Sequence, residues 1–409
     1  MSTDISTQSA ISYGNLPRGT DTSVSIRQRF SVSVIRSYQE VEQLRQTWAG
    51  WQRHPNADID FYLLVCRSRP EILRPHVIVL YREGRPEAML VGRLVKGTID
   101  LSVGYGKMLK VPARLLTIVY GGLLGDLSSE NCKILVTELS YALRRDEADA
   151  ALFNFVRTDS DIYRSMLGVP GPTHRDYWPS EQLHRSMKLP DNIETVYREM
   201  SGDHRKELRR MEKRLLSDHS GDMRVTCLRD VGELDRMFLD LEEIARGTYQ
   251  RGLGAGFADT PEMRQRFHLE AERGWLRSYI LYVAGKPCAF WVGTLYKDTF
   301  HSGFMGYDST YQRYSPGSVL QIKVVEDLCR NGIKELDFGL GDAMYKRRFG
   351  NCSWQEASAY MFAPSLTATA INFVRTPTIF ADRILRRVLS RTKLLEKVKK
   401  GWRTRVRKR

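Results

Sequence analysis

A segment of 19 residues occurs twice in this chain. Residues 80–98, LYREGRPEAMLVGRLVKGT, align without a gap to residues 281–299, LYVAGKPCAFWVGTLYKDT, and ten positions are identical. Both copies read as two alternating strands around a Gly-Arg-Pro or Gly-Lys-Pro turn, a pattern typical of a β-hairpin. The identities continue well past the turn, so they indicate duplication of a whole unit. We therefore predict two copies of one α/β unit.

The second copy continues into a strand that ends near Asp308, a Ser-Pro-Gly turn at 315–317, a helix over about 318–330 and a strand, IKELDF. The helix is indicated by a wide apolar face and by punctuation at both ends, Pro316 before it and Gly332 after it. A strand, a glycine turn and a helix N-terminus present backbone N–H groups to an anion. This stretch is the predicted centre of the functional site.

Ionisable residues cluster around the end of that second strand. Asp337 lies at its end and Asp342 in the loop that follows, and both are candidates for a general base or a substrate-orienting group. Lys346 and Arg348 suit a phosphate or a carbonyl oxygen. His301, on the alternating strand 299–305, is a second candidate base, although a hydrogen-bonded sheet histidine would fit the same pattern.

Three segments carry a family resemblance: YSPGSVL, DFGLGDAMYKRRFG and the basic run SGDHRKELRRMEKR. Together they resemble the CelD-like branch of the GNAT acyltransferase superfamily, which is related to the FemAB-like peptidoglycan aminoacyltransferases. The resemblance covers residues 200–362. It implies tandem GNAT-like domains, each a mixed central sheet flanked by helices, with acyl-CoA as donor, acetyl-CoA foremost. The cysteines have no CxxC pair or His-rich spacing, so no metal is expected. The first copy is then expected to be a partner domain without an active site.

The same resemblance implies roles for individual residues. The GNAT pyrophosphate loop corresponds here to residues 312–317, which makes Gln312, Ser315, Gly317 and Ser318 the candidate donor-binding residues. Ser315 replaces the first glycine of that loop, and Pro316 has no N–H to donate. Tyr345 matches a tyrosine that protonates the departing thiolate.

The chain is expected to divide into five parts. These are a disordered tail (1–28), an N-terminal GNAT-like domain (29–190), a basic helix (191–220), a C-terminal catalytic GNAT-like domain (221–364) and a basic amphipathic tail (365–409). The basic helix carries Arg209 and Arg210. It is either a solvated helix face or, as the resemblance implies, a surface that binds a phosphate-bearing substrate or tRNA.

Charge points to an anionic partner. The formal net charge is +15, and residues 376–409 hold 13 Lys/Arg and 2 acidic residues, which gives 13 − 2 = +11. Apolar residues recur in this tail at helical spacing and end in a Trp, a pattern that favours an anionic membrane surface. A solubilising or RNA-binding tail would share the composition. The six cysteines form no CxxC pair, and we expect a cytoplasmic protein, peripheral to the inner face of the membrane.

Three functions compete at this point. The first is acyl-CoA-dependent N- or O-acylation of a sugar or amino-sugar intermediate, with a lipid-linked saccharide as one acceptor, in exopolysaccharide or cell-envelope biosynthesis. The second is FemAB-like aminoacyl transfer from aminoacyl-tRNA. The third is a non-catalytic scaffold of a polysaccharide synthase. The acyl group, the acceptor and the oligomeric state are left open by the sequence.

Overall fold

A computed structural model of the chain describes residues 30–101, 109–219, 221–248, 251 and 256–391. The predicted N-terminal tail and residues 392–409 lie outside the described residues. Within the described part, residues 30–101, 109–179 and 358–378 form unit 1, and residues from 180 to 357 with 379–391 form unit 2. The division differs from the predicted one, because 180–188 belong to unit 2 and 358–378 return to unit 1.

Unit 1 is an α/β unit built on a mixed sheet. Its strand order is β1-β2-β3-β4-β5, with the second half of β12 beside β5. Its strands are β1 (Phe30–Ile35), β2 (Ile72–Arg82), β3 (Arg85–Leu101), β4 (Leu109–Gly125) and β5 (Ala150–Arg157). Its helices are α1 (Tyr38–Gln43), α2 (Arg45–Trp51), α3 (Ile59–Ser68), α4 (Ser129–Arg144) and α5 (Asp161–Gly168).

Both faces of the unit 1 sheet are buried, because alternate residues of β2 and β3 point to opposite sides. One face, which includes Ile78 and Leu80, packs against α4 and α5. The other, which includes Val77 and Val79, packs against α1, α2 and α3.

Unit 2 has the same layering. Its strand order is β6-β11-β10-β9-β8-β7, with the first half of β12 on the other side of β6. Its strands are β6 (Ser180–Lys188), β7 (Met223–Leu228), β8 (Leu276–Val283), β9 (Lys286–Tyr296), β10 (Thr299–Tyr307), β11 (Glu335–Leu340) and β12 (Cys352–Phe362). Its helices are α6 (Ile193–Glu199), α7 (Gly202–Asp218), α8 (Leu234–Ala245), α9 (Pro261–Glu272), α10 (Pro316–Arg330) and α11 (Met344–Phe349).

The unit 2 sheet is also covered on both sides. Tyr279 and Leu281 of β8 pack against α6, α7 and α10, while Ile280 and Tyr282 pack against α8 and α9. The helix predicted over 318–330 is α10. Pro316 is its first residue, and Gly332 follows it with φ +69°, so the helix begins and ends at the residues that punctuate the sequence.

The duplicated segment forms the same hairpin in both units. The turn residues Glu83 and Gly84 have φ of +50° and +77°, and Ala284 and Gly285 have +51° and +74°. These two successive positive φ values are those of a type I′ turn, the form that matches strand twist. The pairing register also shifts at equivalent places, between Leu80 and Tyr81 and between Leu281 and Tyr282. The prediction of two copies of one α/β unit is confirmed.

The basic helix predicted for 191–220 is two helices, α6 and α7. The chain is extended at Met200 and Ser201, where the Ser201 side chain accepts a hydrogen bond from the His204 N–H at 3.2 Å. A serine that caps a new helix competes with continuation of the old one, so the break follows from Ser201.

The segment predicted as a basic tail from 365 onward begins inside unit 1. Helix α12 (Leu366–Arg391) packs Ala368 and Ile371 into the unit 1 core. The buried Arg375 guanidinium lies 2.7 Å from the Asp176 carboxylate. None of the described helices is long and apolar enough to span a bilayer. The six cysteines, all among the described residues, form no disulfide.

Candidate functional site

The candidate site lies where β10 and β11 separate. These parallel strands pair at three positions, and the last pair is His301 with Asp337. A β-bulge follows immediately on each strand, between Ser302 and Phe304 on β10 and between Asp337 and Gly339 on β11. Bulges bend strands and re-aim side chains. The separation therefore opens a wedge in the sheet that begins at two predicted site residues.

His301 and Asp337 are in contact at this point. His301 Nδ1 lies 3.2 Å from Asp337 Oδ2. Asp337 Oδ1 accepts a hydrogen bond from the Gly339 N–H at 2.7 Å, and Gly339 has φ +70°, a conformation that favours glycine. Because a carboxylate only accepts, His301 carries its proton on Nδ1 and presents Nε2 as a base.

His184 of β6 lies on the other side of Asp337. Its Nε2 is 2.5 Å from Asp337 Oδ1, and its Nδ1 is 3.2 Å from Glu356 Oε2. Burial alone would lower the pKa of His184, but the hydrogen bonds to the two carboxylates outweigh burial and raise that pKa to about 9. Burial would likewise raise the pKa of Asp337, yet hydrogen bonds from His184 and His301 hold it far below its usual range.

Asp342 lies apart from this cluster and is ion-paired. Its carboxylate is 2.8 Å from Arg185 Nε and 2.5 Å from Arg347. The hydrogen bonds from Arg347 and then Arg185 lower the pKa of Asp342. A carboxylate with two arginine partners is a weak base, so this geometry suits orientation of the loop after β11 better than proton transfer.

Lys346 and Arg348 also have protein partners. The buried Lys346 ammonium donates to the Leu340 carbonyl at 2.6 Å and to the Gly339 carbonyl at 3.3 Å. Burial lowers the pKa of Lys346, partly offset by the charge of Asp337. Arg348 lies 3.2 Å from Glu207 of α7. Lys346 therefore connects α11 to the end of β11 through these hydrogen bonds.

Tyr345 of α11 is half-buried beside the core of unit 2. Its ring meets Phe338 edge to face, with centroids 6.1 Å apart. Phe338 directly follows Asp337 on β11, and both Phe338 and Tyr345 pack with the part of the unit 2 core that includes Phe300 and Leu336.

The predicted donor-binding turn has an unusual backbone. Ser315 is left-handed, at φ +49° and ψ +53°, and its side chain does not cap α10. Ser318 and Val319 donate their N–H groups to the Ser315 carbonyl at 2.9 and 3.3 Å. Because Pro316 has no N–H, Gly317 is the first-turn donor for which no backbone acceptor is seen among the described residues.

Gln312 contributes its backbone to this turn. Its carbonyl accepts from the Ser315 N–H at 3.1 Å, while its side chain is exposed. A left-handed serine costs of order 1 kcal/mol and is typically retained where a binding site needs that conformation. Two arginines flank the turn, since Arg313 and Arg214 of α7 lie 4.6 and 5.7 Å from the Tyr314 ring centroid.

Arg209 and Arg210 lie on the exposed face of α7. Lys206 and Lys213 share that face, while Leu208 and Leu215 point into the core. Arg209 also stacks over Tyr197, 5.9 Å from the ring centroid. The helix therefore presents a basic stripe whose C-terminal end meets the donor-binding turn at Arg214.

The model of the acetyltransferase (GNAT) domain family matches residues 202–347, a stretch that contains the wedge, the turn and α7. Residues 202–347 of unit 2 are therefore similar to a GNAT acetyltransferase domain. The sequence has no match among curated proteins. The matched residues include His301 and Asp337, whereas His184 and Glu356 lie outside them.

Solved structures with a similar fold include FemX, with a TM-score of 0.54 and 11% identity over 81% of this chain and 98% of that chain. Two others are similar at lower scores. The C-terminal domain of a putative lysylphosphatidylglycerol synthetase from Agrobacterium fabrum has 13% identity, 83% and 96% coverage and a TM-score of 0.48. A tandem GNAT protein from the clavulanic acid biosynthesis pathway has 12% identity, 82% and 99% coverage and a TM-score of 0.44.

The sequence prediction missed three polar residues around the candidate site: His184, Arg185 and Glu356. His184 and Arg185 of β6 lie about 150 positions before their partners Asp337 and Asp342 in the sequence, so no local motif links them. The buried positions of β6 include His184 and Ser186, and a strand with polar buried positions lacks the apolar alternation that identifies strands.

Proposed function

We propose that unit 2 transfers an acyl group from acyl-CoA, acetyl-CoA foremost, to the amine or hydroxyl of a sugar or amino sugar. The observation that carries this proposal is the contact between His301 and Asp337 at the point where β10 and β11 separate. A base held by a carboxylate, at the point where two strands separate and within the residues that match a GNAT acetyltransferase domain, is an arrangement suited to acyl transfer.

The chemistry follows from the orientation of His301. As the acceptor nitrogen or oxygen forms its bond to the thioester carbonyl carbon, His301 Nε2 takes the proton that the acceptor loses. The carbon–sulfur bond breaks, and the leaving thiolate takes a proton, for which Tyr345 is the candidate donor. Asp337 stays ionised and holds His301 Nδ1–H throughout.

The turn before α10 fits the phosphates of the donor. The Gly317 N–H and the positive end of the α10 dipole attract an anion, while Ser315, Ser318 and Gln312 surround the same turn. Arg214 and Arg313 add positive charge beside it. The absence of an N–H at Pro316 leaves fewer backbone donors than a glycine-rich loop offers, so the arginines carry a larger share of phosphate binding.

For the acceptor, we propose that Arg209 and Arg210 bind a phosphate group of a nucleotide-linked or lipid-linked saccharide. Both are exposed, whereas Lys346 and Arg348 are held by Leu340 and Glu207. The assignment to exopolysaccharide or cell-envelope synthesis rests on the CelD-like resemblance.

A membrane-peripheral location is part of the same proposal. Helix α12 exposes a row of apolar side chains spaced by seven, seven and four residues: Leu366 (92% exposed), Phe373 (80%), Phe380 and Ile384. The sequence that follows carries 9 Lys/Arg and 1 Glu over 392–409. Apolar side chains beside a basic segment match the two attractions of an anionic bilayer, burial and about 1 kcal/mol per basic residue near the surface.

Vesicle sedimentation tests the location. Phe373→Ser with Phe380→Ser is expected to reduce binding to vesicles containing phosphatidylglycerol, and deletion of 392–409 to reduce it further at low salt. The matched control is Leu239→Ser, at an exposed leucine of α8 (72% exposed). A deletion that starts at 376 is unsuitable, because it removes residues next to the buried Arg375. Equal binding by all variants would contradict a membrane role for α12 and the tail.

The alternative with support on the same surface is aminoacyl transfer from tRNA. The basic stripe on α7 fits a nucleic acid backbone as well as a sugar phosphate, and the likeness to FemX is consistent with it at the level of fold. The two donors differ in salt dependence, since tRNA binding through many phosphates falls steeply with salt.

Calorimetric titration of the full chain with acetyl-CoA, longer acyl-CoAs and bulk tRNA at two salt concentrations tests the donor. We expect saturable acyl-CoA binding, weakened about tenfold in Gly317→Ala by obstruction of one charged hydrogen bond. A Cβ at Gly317 meets only Tyr307, at 3.7 Å, so the fold tolerates it. Gly202→Ala, in open space at the start of α7, is the control.

Free-thiol release in the presence of amino sugars and sugar nucleotides then identifies the acceptor. Salt-sensitive tRNA binding without any response to acyl-CoA would replace the proposal with the aminoacyl-tRNA function. Binding of neither donor, together with an unchanged cellular phenotype when His301, Asp337 and Tyr345 are all replaced, would favour a scaffold.

A further inference from the structure

Four neighbouring strands place a row of ionisable side chains at the start of the wedge. Glu356 comes from β12, His184 from β6 and Asp337 from β11, and the row continues to His301 on β10. His184 is 1% exposed and Glu356 3%. The ring of Trp354 stacks on His184, with centroids 4.4 Å apart and planes within 12°, and its N–H donates to Glu356 at 2.7 Å.

Both ring nitrogens of His184 face carboxylate oxygens. A neutral imidazole has one N–H, so it would leave one of the two buried carboxylates facing a lone pair. An imidazolium offers an N–H to each of them. The two contacts, 2.5 Å to Asp337 and 3.2 Å to Glu356, therefore favour a charged ring, in agreement with the raised pKa of His184. Lys346 is a further cation near Asp337, since the charge of Asp337 acts on it.

This charged ring fixes Asp337 from the side opposite His301. Asp337 Oδ1 accepts hydrogen bonds from His184 Nε2 at 2.5 Å and from the Gly339 N–H at 2.7 Å. The other oxygen, Oδ2, faces His301 Nδ1. The carboxylate is thus oriented and kept ionised by groups that do not take part in proton transfer, and it in turn selects the His301 tautomer with a lone pair on Nε2.

We propose that His184 is a positioning residue of the acyl-transfer site: held between Glu356 and Asp337, it locks the Asp337 carboxylate onto His301 Nδ1 and so presents His301 Nε2 as the base. Its catalytic consequence rests on the function proposed for unit 2. Stability alone does not explain the cluster, because a buried group of charges is often replaceable by apolar residues at no cost.

The direct test is NMR of the full chain labelled with ¹⁵N-histidine, with the His301 signals assigned through His301→Gln. We expect His184 doubly protonated at pH 7.5 and His301 protonated on Nδ1. In His184→Gln the Nδ1-protonated His301 tautomer is expected to lose its dominance. His76→Gln, at a fully buried strand histidine of unit 1, is the matched control and leaves the His301 signals unchanged. An identical His301 tautomer in wild type and His184→Gln would overturn the proposal.

Glu356→Gln provides a second, nearly isosteric variant should His184→Gln not fold. Loss of this carboxylate lowers the pH at which His184 loses its second proton, and an unchanged titration of His184 would count against the proposed row. With an active donor and acceptor, His184→Gln is expected to lower kcat roughly 10–100-fold, as for outer hydrogen-bond partners of functional histidines, with an unchanged KM for the donor.

The two proposals fail in distinguishable ways. Tautomer control by His184 in a protein that does not turn over acyl-CoA upholds the positioning of His301 and overturns the donor assignment. If the protein turns over acyl-CoA but the His301 tautomer is the same in wild type and His184→Gln, the donor assignment is supported and the positioning role of His184 is overturned.

Discussion

The two units share a fold but differ at the strand positions that carry His301 and Asp337 in unit 2. By register, Gly92 pairs with Ile118 in unit 1 as Gly293 pairs with Ser302 in unit 2. One residue earlier on each strand, Thr117 stands where unit 2 has His301. On the neighbouring strand Thr117 pairs with Leu152, as His301 pairs with Asp337. Unit 1 thus has a hydroxyl and an apolar side chain in place of the base and its carboxylate.

The helix that follows differs in the same sense. In unit 1, Ser128 caps α4 with its own side chain, accepting from the Asn131 N–H at 3.5 Å, at an ordinary φ of −56°. In unit 2, Ser315 is left-handed and does not cap α10. A helix whose first N–H groups are hydrogen-bonded by its own capping serine has fewer N–H groups to offer a phosphate. The α10 N-terminus, in contrast, has the Gly317 N–H to offer a ligand.

The hairpin turns, in contrast, are the same to within a few degrees in φ. Duplication therefore preserved the packing and the strand register, while the ionisable pair and the strained turn occur in one copy. Within the described residues, the comparison therefore supports placing the proposed acyl-transfer site in unit 2.

The largest effect is expected from the base. His301→Ala should lower kcat by roughly 10²–10⁴, the usual contribution of a general base, with little change in thermal stability. Thr117→Ala at the equivalent position of unit 1 should leave kcat unchanged. Steady-state thiol release measures both variants. A comparable loss in Thr117→Ala would break the comparison by giving unit 1 a part in the chemistry.

The next effect concerns stability. Asp176→Asn in unit 1 leaves the Arg375 guanidinium buried without its charge partner, 2.7 Å away, and such a loss costs about 3–5 kcal/mol. Denaturant unfolding should show this destabilisation, while kcat of the folded fraction stays at the wild-type value. A small change in unfolding free energy would mean that this buried pair is not the strong unit 1 contact that its geometry indicates.

A pH-dependent effect should appear in unit 2. His184 has a pKa raised to about 9, so the stability that its charge contributes is complete below its unfolded pKa and is lost as pH rises through 9. The free energy of unfolding should fall by at most about 1.4 kcal/mol per pH unit between roughly pH 6.5 and 9. Urea unfolding across this range should give a flatter curve for His184→Gln, and parallel curves would contradict the charged state of His184.

Features built from residues close together in the sequence are predictable, whereas contacts between residues far apart in the sequence are not. The hairpin repeat and the helix Pro316–Arg330 follow from local patterns, and so does the concentration of chemistry around 301–348. His301 and Asp337 were both predicted as site residues, although their contact was not. The row through His184 to Glu356 depends on three strands that meet only in the fold, and the β6 sequence has no motif for it.

Two other differences between the prediction and the structure have local causes. Ser201 divides the predicted basic helix because it caps α7. The start of α12 belongs to the unit 1 core because Ala368, Ile371 and Arg375 point inward, although the composition of the whole segment is basic. Lys346 and Arg348, which the sequence predicts as phosphate ligands, contact Leu340 and Glu207, and no sequence pattern predicts these contacts.

The smallest effect is expected at the donor-binding turn. Ser315→Gly removes the strain of a left-handed serine and should raise the unfolding free energy by about 1 kcal/mol. If the Ser315 hydroxyl contacts the donor, acyl-CoA affinity falls in the same variant. Thermal denaturation and calorimetry measure the two quantities on one preparation. A destabilised Ser315→Gly would contradict the assignment of strain.

Hydrogen–deuterium exchange with and without acetyl-CoA tests the central claim of a single donor site in unit 2 most directly. We predict slower exchange over β10 beyond Ser302 and over residues 312–319, with no change over the equivalent positions of unit 1, from Ile118 to Asn131. Protection in unit 1, or the absence of protection at the turn before α10, would contradict the claim that one copy of the duplicated fold carries the chemistry.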